Sequence, residues 1–197
     1  PAVAGGVQLF AWLFGDLAPC SLLLGAMTQF PDKTVVWKTV PGGDVPPRAS
    51  SPKYPGDHTF TPYDPELKVD IYYPLGHDSS SDMASLAYPV FLYYHGGGWR
   101  YGDRKRDVPL CTVNYLLARG VAFVSADYRV LQHGFNGSHI LEDAFGVVDW
   151  LHEKGLELNL DMNRSVASGN SAGGHLAMMV GYAMPPKSVS GVVTLWG

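Results

Sequence analysis

The chain has 197 residues, of which 46% are hydrophobic and 16% charged, and its formal net charge is −4. This length suits one well-buried domain, and the composition is that of a globular protein rather than a disordered or fibrous one. The negative charge gives no reason to expect nucleic acid as a partner. Cys20 and Cys111 lie far apart and the histidines are scattered, so we expect neither a disulfide framework nor a metal site. The compartment stays open, with a lean towards a cytoplasmic or membrane-associated protein.

Residues 1–38 form an apolar N-terminal leader. Within it, residues 2–27 are long enough to span a bilayer. However, Asp16 lies near the middle of that stretch, Pro19 would interrupt a helix, and no Lys or Arg flanks it. A membrane anchor is therefore one interpretation, and the favoured one is an apolar helical hairpin, a possible cap, packed on the body or on a partner. Residues 39–65, rich in Pro, Gly, Ser and Asp, are predicted to be a linker or loop.

The remaining residues, 66–197, alternate short apolar runs with segments of helical periodicity. The predicted strands are residues 67–73, 90–94, 121–126, 164–168 and 189–195, and the predicted helices are residues 109–119, 139–153 and 172–183. This alternation predicts an α/β fold with a mostly parallel sheet and flanking helices. The basic run at 100–106 is interpreted as a solvated loop, with charge at a substrate entrance as the alternative.

The first chemical motif is the pentapeptide at 169–173, Gly-Asn-Ser-Ala-Gly, which matches G-x-S-x-G. The string alone is weak, and an ordinary glycine-rich turn is the other interpretation. Its position between a predicted strand and a predicted helix favours a nucleophile elbow. In such an elbow Ser171 has a strained backbone conformation with an exposed hydroxyl, and the two glycines allow a close approach of strand and helix. The helix N-terminus then favours negative charge at the reacting centre.

The second motif is the segment 95–99, His-Gly-Gly-Gly-Trp, which directly follows a predicted buried strand. An oxyanion hole needs backbone N–H groups aimed at a point near the nucleophile, and glycines allow the tight turn that aims them. The N–H groups of Gly97 and Gly98 are expected to act together with that of Ala172, the residue after the serine. The presence of both motifs, in this order, predicts acyl transfer on Ser171.

With these motifs in view, the segment 67–197 resembles the α/β-hydrolase fold, and within it the hormone-sensitive-lipase-like carboxylesterases. The resemblance rests on VFLYYHGGGW at 90–99, SADYR at 125–129, LEDA at 141–144 and SGNSAGGH at 168–175. Trp99 points to the feruloyl-esterase-like and kynurenine-formamidase-like branch. The resemblance implies hydrolysis of a small carboxylic ester through an acyl-enzyme, with no cofactor or metal.

A further group of residues is assigned to support of the site or to its pocket: His95, Gly96, Trp99, Asn170, Tyr128, Asp143 and His175. In the family that the chain resembles, His95 orients the oxyanion loop. Asp143 is expected to form a structural ion pair with Arg129. His175, one helical turn after the serine, is interpreted as a packing residue, with a role as substitute base less favoured. Tyr128 stays open between pocket wall and core packing.

The resemblance also exposes a gap, because the acid and the histidine of such esterases follow the nucleophile in the chain. No Asp or Glu follows Ser171 here, and the only later histidine is His175. We therefore expect a partial hydrolase domain that lacks the last strands: an incomplete gene model, a fragment, or a subunit completed by another chain or by oligomerisation. Activity of this chain alone is expected to be weak or absent. The alternatives are a non-catalytic, receptor-like protein that binds small molecules, and amide rather than ester hydrolysis.

Overall fold

The computed structural model describes residues 30–40, 64–74, 76–77, 87–105 and 108–195. The strands are β1 (Lys33–Thr39), β2 (Glu66–Tyr72), β3 (Tyr88–Tyr94), β4 (Ala122–Ala126), β5 (Leu160–Asn170) and β6 (Gly191–Leu195), and the helices are α1 (Leu110–Leu117), α2 (Gly137–Lys154) and α3 (Ala172–Ala183). Short 3₁₀ turns at Leu131–His133 and Gly155–Leu158 precede and follow α2.

The strands form one six-stranded sheet in the order β1-β2-β4-β3-β5-β6. The pairs β1–β2 and β2–β4 are antiparallel, whereas β4, β3, β5 and β6 run parallel to one another. This arrangement confirms the predicted α/β fold with a mostly parallel sheet. The parallel strands bring their carboxyl ends to one edge, where ligand sites of open α/β sheets lie. The loop after β3 and the turn after β5 are therefore neighbours.

The core forms because the central strands are apolar on both faces. Leu92 on β3 and Val124 on β4 are completely buried. On α2, Ile140, Val147 and Leu151 lie on one face and are buried against the sheet, as their helical period predicted. Each such side chain contributes about 1.5–3 kcal/mol relative to an exposed one. The core thereby fixes the carboxyl edge on which the site is built.

Two parts of the sheet differ from the sequence-based prediction. Strand β1 was not predicted, because residues 33–38 were assigned to the leader, yet it pairs antiparallel with β2. Edge strands carry only a half-buried pattern, which is hard to separate from a neighbouring apolar stretch. Strand β5 begins at Leu160 rather than at residue 164, with a register shift opposite Pro89 and Val90.

The rest of the predicted leader and linker, residues 1–29 and 41–63, lies outside the described residues. Among the helices that are described, none combines the length and apolar character needed to cross a bilayer. Cys111, on α1, is disulfide-bonded. The expectation that the cysteines form no disulfide is therefore wrong for Cys111.

Candidate active site

Ser171 joins β5 to α3 in a conformation that is rare for a residue with a side chain. Its φ is 50° and its ψ is −120°, and its side chain is exposed. Positive φ at a non-glycine residue is strained and persists only where the surrounding structure enforces it. The predicted strained geometry of an elbow is thus confirmed. The serine lies at the N-terminus of α3, where the helix dipole favours developing negative charge.

The two glycines that flank the elbow are required by close backbone contacts. A Cβ added at Gly173 would lie 2.0 Å from the carbonyl oxygen of Tyr94, and one added at Gly169 would lie 2.4 Å from the carbonyl carbon of Gly173. Helix α3 therefore packs directly on the carboxyl end of β3. The expectation that these glycines permit a close approach of strand and helix is confirmed.

The glycine loop after β3 turns sharply through three consecutive residues with positive φ: Gly97 (121°), Gly98 (60°) and Trp99 (58°). A Cβ at Gly97 would lie 2.0 Å from the carbonyl oxygen of Tyr101, so a side chain is excluded there. Among the described residues, no carbonyl accepts a hydrogen bond from the N–H of Gly97, Gly98 or Ala172.

Two stacked, buried aromatic rings pack against this loop. The ring of His95 is 1% exposed and stacks on Tyr128, with ring centroids 4.1 Å apart. Nδ1 of His95 lies 2.7 Å from the carbonyl oxygen of Gly96. The Tyr128 hydroxyl donates to the carbonyl oxygen of His95 at 2.7 Å, and burial raises the pKa of that hydroxyl, which keeps it a donor. Tyr128, which is 4% exposed, therefore packs against His95 and also lines a neighbouring pocket.

Asn170 connects the loop to the elbow. The Tyr93 hydroxyl donates to Oδ1 of Asn170 at 2.9 Å. A Cβ at Gly96 would lie 3.0 Å from the same oxygen, so the Asn170 side chain packs against the backbone of the loop. On the far side, the N–H of Leu131 donates to the carbonyl oxygen of Trp99 at 2.8 Å. The loop is therefore fixed at both ends of its turn.

The predicted ion pair between Arg129 and Asp143 is present and buried. Nε and Nη2 of Arg129 donate to the two carboxylate oxygens at 2.7 and 2.8 Å, and the backbone N–H of Arg129 donates at 2.9 Å. Lys38 from β1 adds a fourth hydrogen bond to Asp143, at 2.7 Å. Hydrogen bonds from Lys38 and Arg129 also lower the pKa of Glu142 to about 2. This cluster ties α2 to the loop after β4.

A second buried ion network was missed by the sequence analysis. The prediction of a solvated loop at 100–106 is wrong for Arg104, which is 9% exposed. Its side chain donates to Asp70 and Asp127 at 2.8 Å each, and its backbone N–H donates to Asp127 at 2.8 Å. The aspartates on β2 and after β4 need a counterion, and Arg104 provides it. The pair of Asp residues next to buried strands was the signal that could have found it.

The described histidines form no hydrogen bond with the Ser171 side chain. The side chain of His175 is exposed and meets the Trp99 ring edge-on, with centroids 5.4 Å apart. Its backbone N–H donates to the carbonyl oxygen of Ser171, but no described histidine forms a hydrogen bond with the Ser171 hydroxyl. His139 instead caps the N-terminus of α2 together with Asn136. The described residues include no group of three His, Cys, Asp or Glu that could hold a metal ion.

An apolar pocket of about 270 Å³ opens beside the serine. It is lined by Trp99, Leu131, Gly137, Ile140, Leu141, His175 and Leu176. Trp99 closes the glycine loop, and His175 lies one helical turn after Ser171, so the pocket adjoins both motifs.

Comparison with known proteins agrees with this geometry. A family model described as BD-FAE matches residues 69–193. Carboxylesterase NlhH of Mycobacterium tuberculosis is 29% identical over 126 residues, which cover 59% of this chain and 38% of that protein. Esterase LipI of the same organism is 34% identical over 111 residues, covering 56% and 32%. The chain therefore spans less than half the length of these curated relatives.

Among solved structures, the apo form of Thermogutta terrifontis esterase 2 superposes with a TM-score of 0.59 at 26% identity, covering 86% of this chain and 56% of that one. The same esterase, phosphorylated by paraoxon, gives a TM-score of 0.58 at 25% identity, covering 82% and 55%. Together these matches confirm the resemblance to α/β-hydrolase esterases that the sequence showed.

Proposed function

We propose that this chain, which belongs to the BD-FAE family, supplies the nucleophile and the oxyanion hole of a serine hydrolase that cleaves carboxylic esters. The observation that carries the proposal is the strained Ser171, with φ of 50°, at a strand–helix junction beside the glycine loop. Strain of this kind concentrates at functional sites. The esterases to which the chain is similar support an ester rather than an amide substrate.

The proposed reaction begins with attack of the Ser171 hydroxyl oxygen on the acyl carbon of the ester, while a general base takes the hydroxyl proton. The carbonyl oxygen becomes an oxyanion and accepts hydrogen bonds from the N–H groups of Gly97, Gly98 and Ala172. Collapse of this intermediate breaks the bond to the alcohol, which leaves with the proton from the base. Water then attacks the acyl-enzyme by the same path, releasing the acid and restoring the serine.

The general base is proposed to come from outside the described residues. Among those residues, no histidine forms a hydrogen bond with the Ser171 hydroxyl. Without its base a serine is a weak nucleophile at neutral pH, and loss of that partner costs about 10⁶ in kcat. We accordingly propose that these residues alone are a poor catalyst, although their elbow and oxyanion donors are in place.

The second candidate function is binding of a small apolar ester or acid without turnover. The observation that favours it is the pairing of a formed pocket with a serine that has no base among the described residues. A binding protein would keep the pocket but have no need of a reactive hydroxyl. Reactivity of Ser171 therefore separates the two functions.

The experiment is phosphorylation of the purified chain by paraoxon, the reagent that phosphorylates the similar Thermogutta terrifontis esterase 2. The adduct is located by mass spectrometry of peptides, with circular dichroism to verify folding. We expect a single slow adduct at Ser171, abolished by Ser171→Ala and unchanged by Ser138→Ala, which removes an exposed hydroxyl elsewhere. A folded chain that never forms an adduct at Ser171 would favour the binding protein.

A further inference from the structure

The apolar pocket beside Ser171 has a chemical character that limits what can enter it. Its lining contains no charged residue, and His175 is the only member with a titratable side chain. Two charged residues adjoin lining residues in the sequence, Arg100 after Trp99 and Glu142 after Leu141, and neither lines the pocket. Glu142 accepts hydrogen bonds from Lys38 and Arg129. A charged or strongly hydrated group would lose its solvation there without gaining a partner.

The size of the pocket sets an upper limit on the group. An apolar cavity of about 150 Å³ holds a benzene molecule. The volume here is about 270 Å³, which leaves room for a substituted ring or for a chain of several methylene groups. Trp99 and Leu131 form its wall together with residues of α2 and α3.

Gly137, the first residue of α2, leaves part of this space open. A Cβ added at Gly137 would meet no atom within 4 Å, and its φ is not in the left-handed region. Neither the backbone nor its neighbours therefore require glycine at this position. With glycine at position 137, no side chain from this residue occupies the pocket.

From this arrangement we infer that the pocket is the subsite for an uncharged hydrocarbon group of the ester, and that Gly137 determines how large a group it accepts. The inference rests on the proposed function, because it places the group relative to Ser171 as the reacting serine. On this inference, residue 137 sets the size of the group that the pocket accepts and does not contact the reacting atoms.

Binding can be measured apart from catalysis by using the Ser171→Ala chain, which cannot form an acyl-enzyme. The probes are methyl esters of straight-chain acids from two to ten carbons and the corresponding alkyl acetates, titrated by ligand-observed NMR. Each methylene that enters the pocket is expected to tighten binding by about fourfold. In either the methyl esters or the alkyl acetates, affinity should rise with chain length until the pocket is full and then stay constant.

Gly137→Phe, made in the Ser171→Ala chain, is expected to fill part of the pocket. Affinity should then stop rising at a shorter chain length than it does without this substitution. Gly137→Ala should have the same effect to a smaller extent, and it remains informative if the larger variant is poorly folded. The matched control is Ser138→Phe, which adds the same ring at the next, exposed position of α2. Ser138→Phe should leave the dependence of affinity on chain length unchanged.

Affinity that does not rise with chain length in either series would overturn the inference, as would equal effects of Gly137→Phe and Ser138→Phe. These outcomes are distinct from failure of the proposed function. If the chain forms the Ser171 adduct with paraoxon but binds all esters equally, the proposed reaction stands and the proposed subsite is wrong. If affinity rises with chain length but the adduct never forms, the pocket is a binding site and the proposed hydrolase function is wrong.

Discussion

Gly173→Ala is the substitution that most directly tests the close packing of the elbow. The new methyl group would lie 2.0 Å from the carbonyl oxygen of Tyr94 and 2.6 Å from that of His95. Both contacts are with backbone, which cannot rotate away, so the start of α3 must move from the end of β3 by about 1 Å. That movement would carry the N–H of Ala172 away from the donors of the glycine loop.

The expected cost follows from two opposing effects. Overpacking of a well-packed interior destabilises by about 1–3 kcal/mol and occasionally more, whereas replacing glycine by alanine within a helix stabilises by about 1 kcal/mol. Because the clash is with backbone, we expect a net loss of about 2 kcal/mol in the free energy of unfolding. In urea this corresponds to a fall of about 1 M in the midpoint.

The assay is urea denaturation followed by circular dichroism, with the paraoxon reaction at Ser171 as a second readout. Gly137→Ala is the matched control, because it makes the same change in a helix where no atom lies within 4 Å of the new methyl group. It should be neutral or slightly stabilising. If Gly173→Ala unfolds at the same urea concentration as the parent chain and reacts at the same rate, the packing described for the elbow is refuted.

Two further predictions concern groups away from the serine. Asp143→Asn leaves the buried Arg129 with only the exposed Glu142 as an ionic partner and should lower the free energy of unfolding by about 3 kcal/mol in urea denaturation. Glu142→Gln, at a side chain that is 60% exposed, should cost less than about 1 kcal/mol. Equal losses in the two variants would contradict this. Burial raises the pKa of Tyr73, whose hydroxyl donates to Leu158, from 10.0 to about 12, so its contribution to stability is present below pH 10 and lost as the pH rises towards 12. Tyr73→Phe should reduce the loss of stability measured over that range, and an unchanged slope would count against it.

Much of the fold could be predicted from the sequence because its signals are local. Continuous apolar runs identified the central strands, and the helical period of residues 139–153 identified the buried face of α2. The glycines at positions 169 and 173 were interpreted through the approach of strand and helix, which the contacts of their backbones confirm. Each of these features depends on residues that are close in the chain.

What could not be predicted depends on contacts between residues far apart in the chain. The contact of Arg104 with Asp70 joins residues 34 positions apart, and no spacing rule relates them. Strand β1 was hidden because its pattern adjoins an apolar stretch. The pocket next to Ser171 arises where the 3₁₀ turn, α2 and α3 meet, so the open space at Gly137 is visible only in three dimensions.

The central proposal, that Ser171 is a reactive nucleophile with no general base among the described residues, is tested most directly by the rate of its phosphorylation with and without imidazole. Imidazole is a free general base that can take the place of a missing histidine. We expect slow formation of the Ser171 adduct by the chain alone and a rate that rises in proportion to imidazole concentration. Rapid phosphorylation that imidazole does not change would contradict the proposal, because it would show that a base within the chain already reaches the serine.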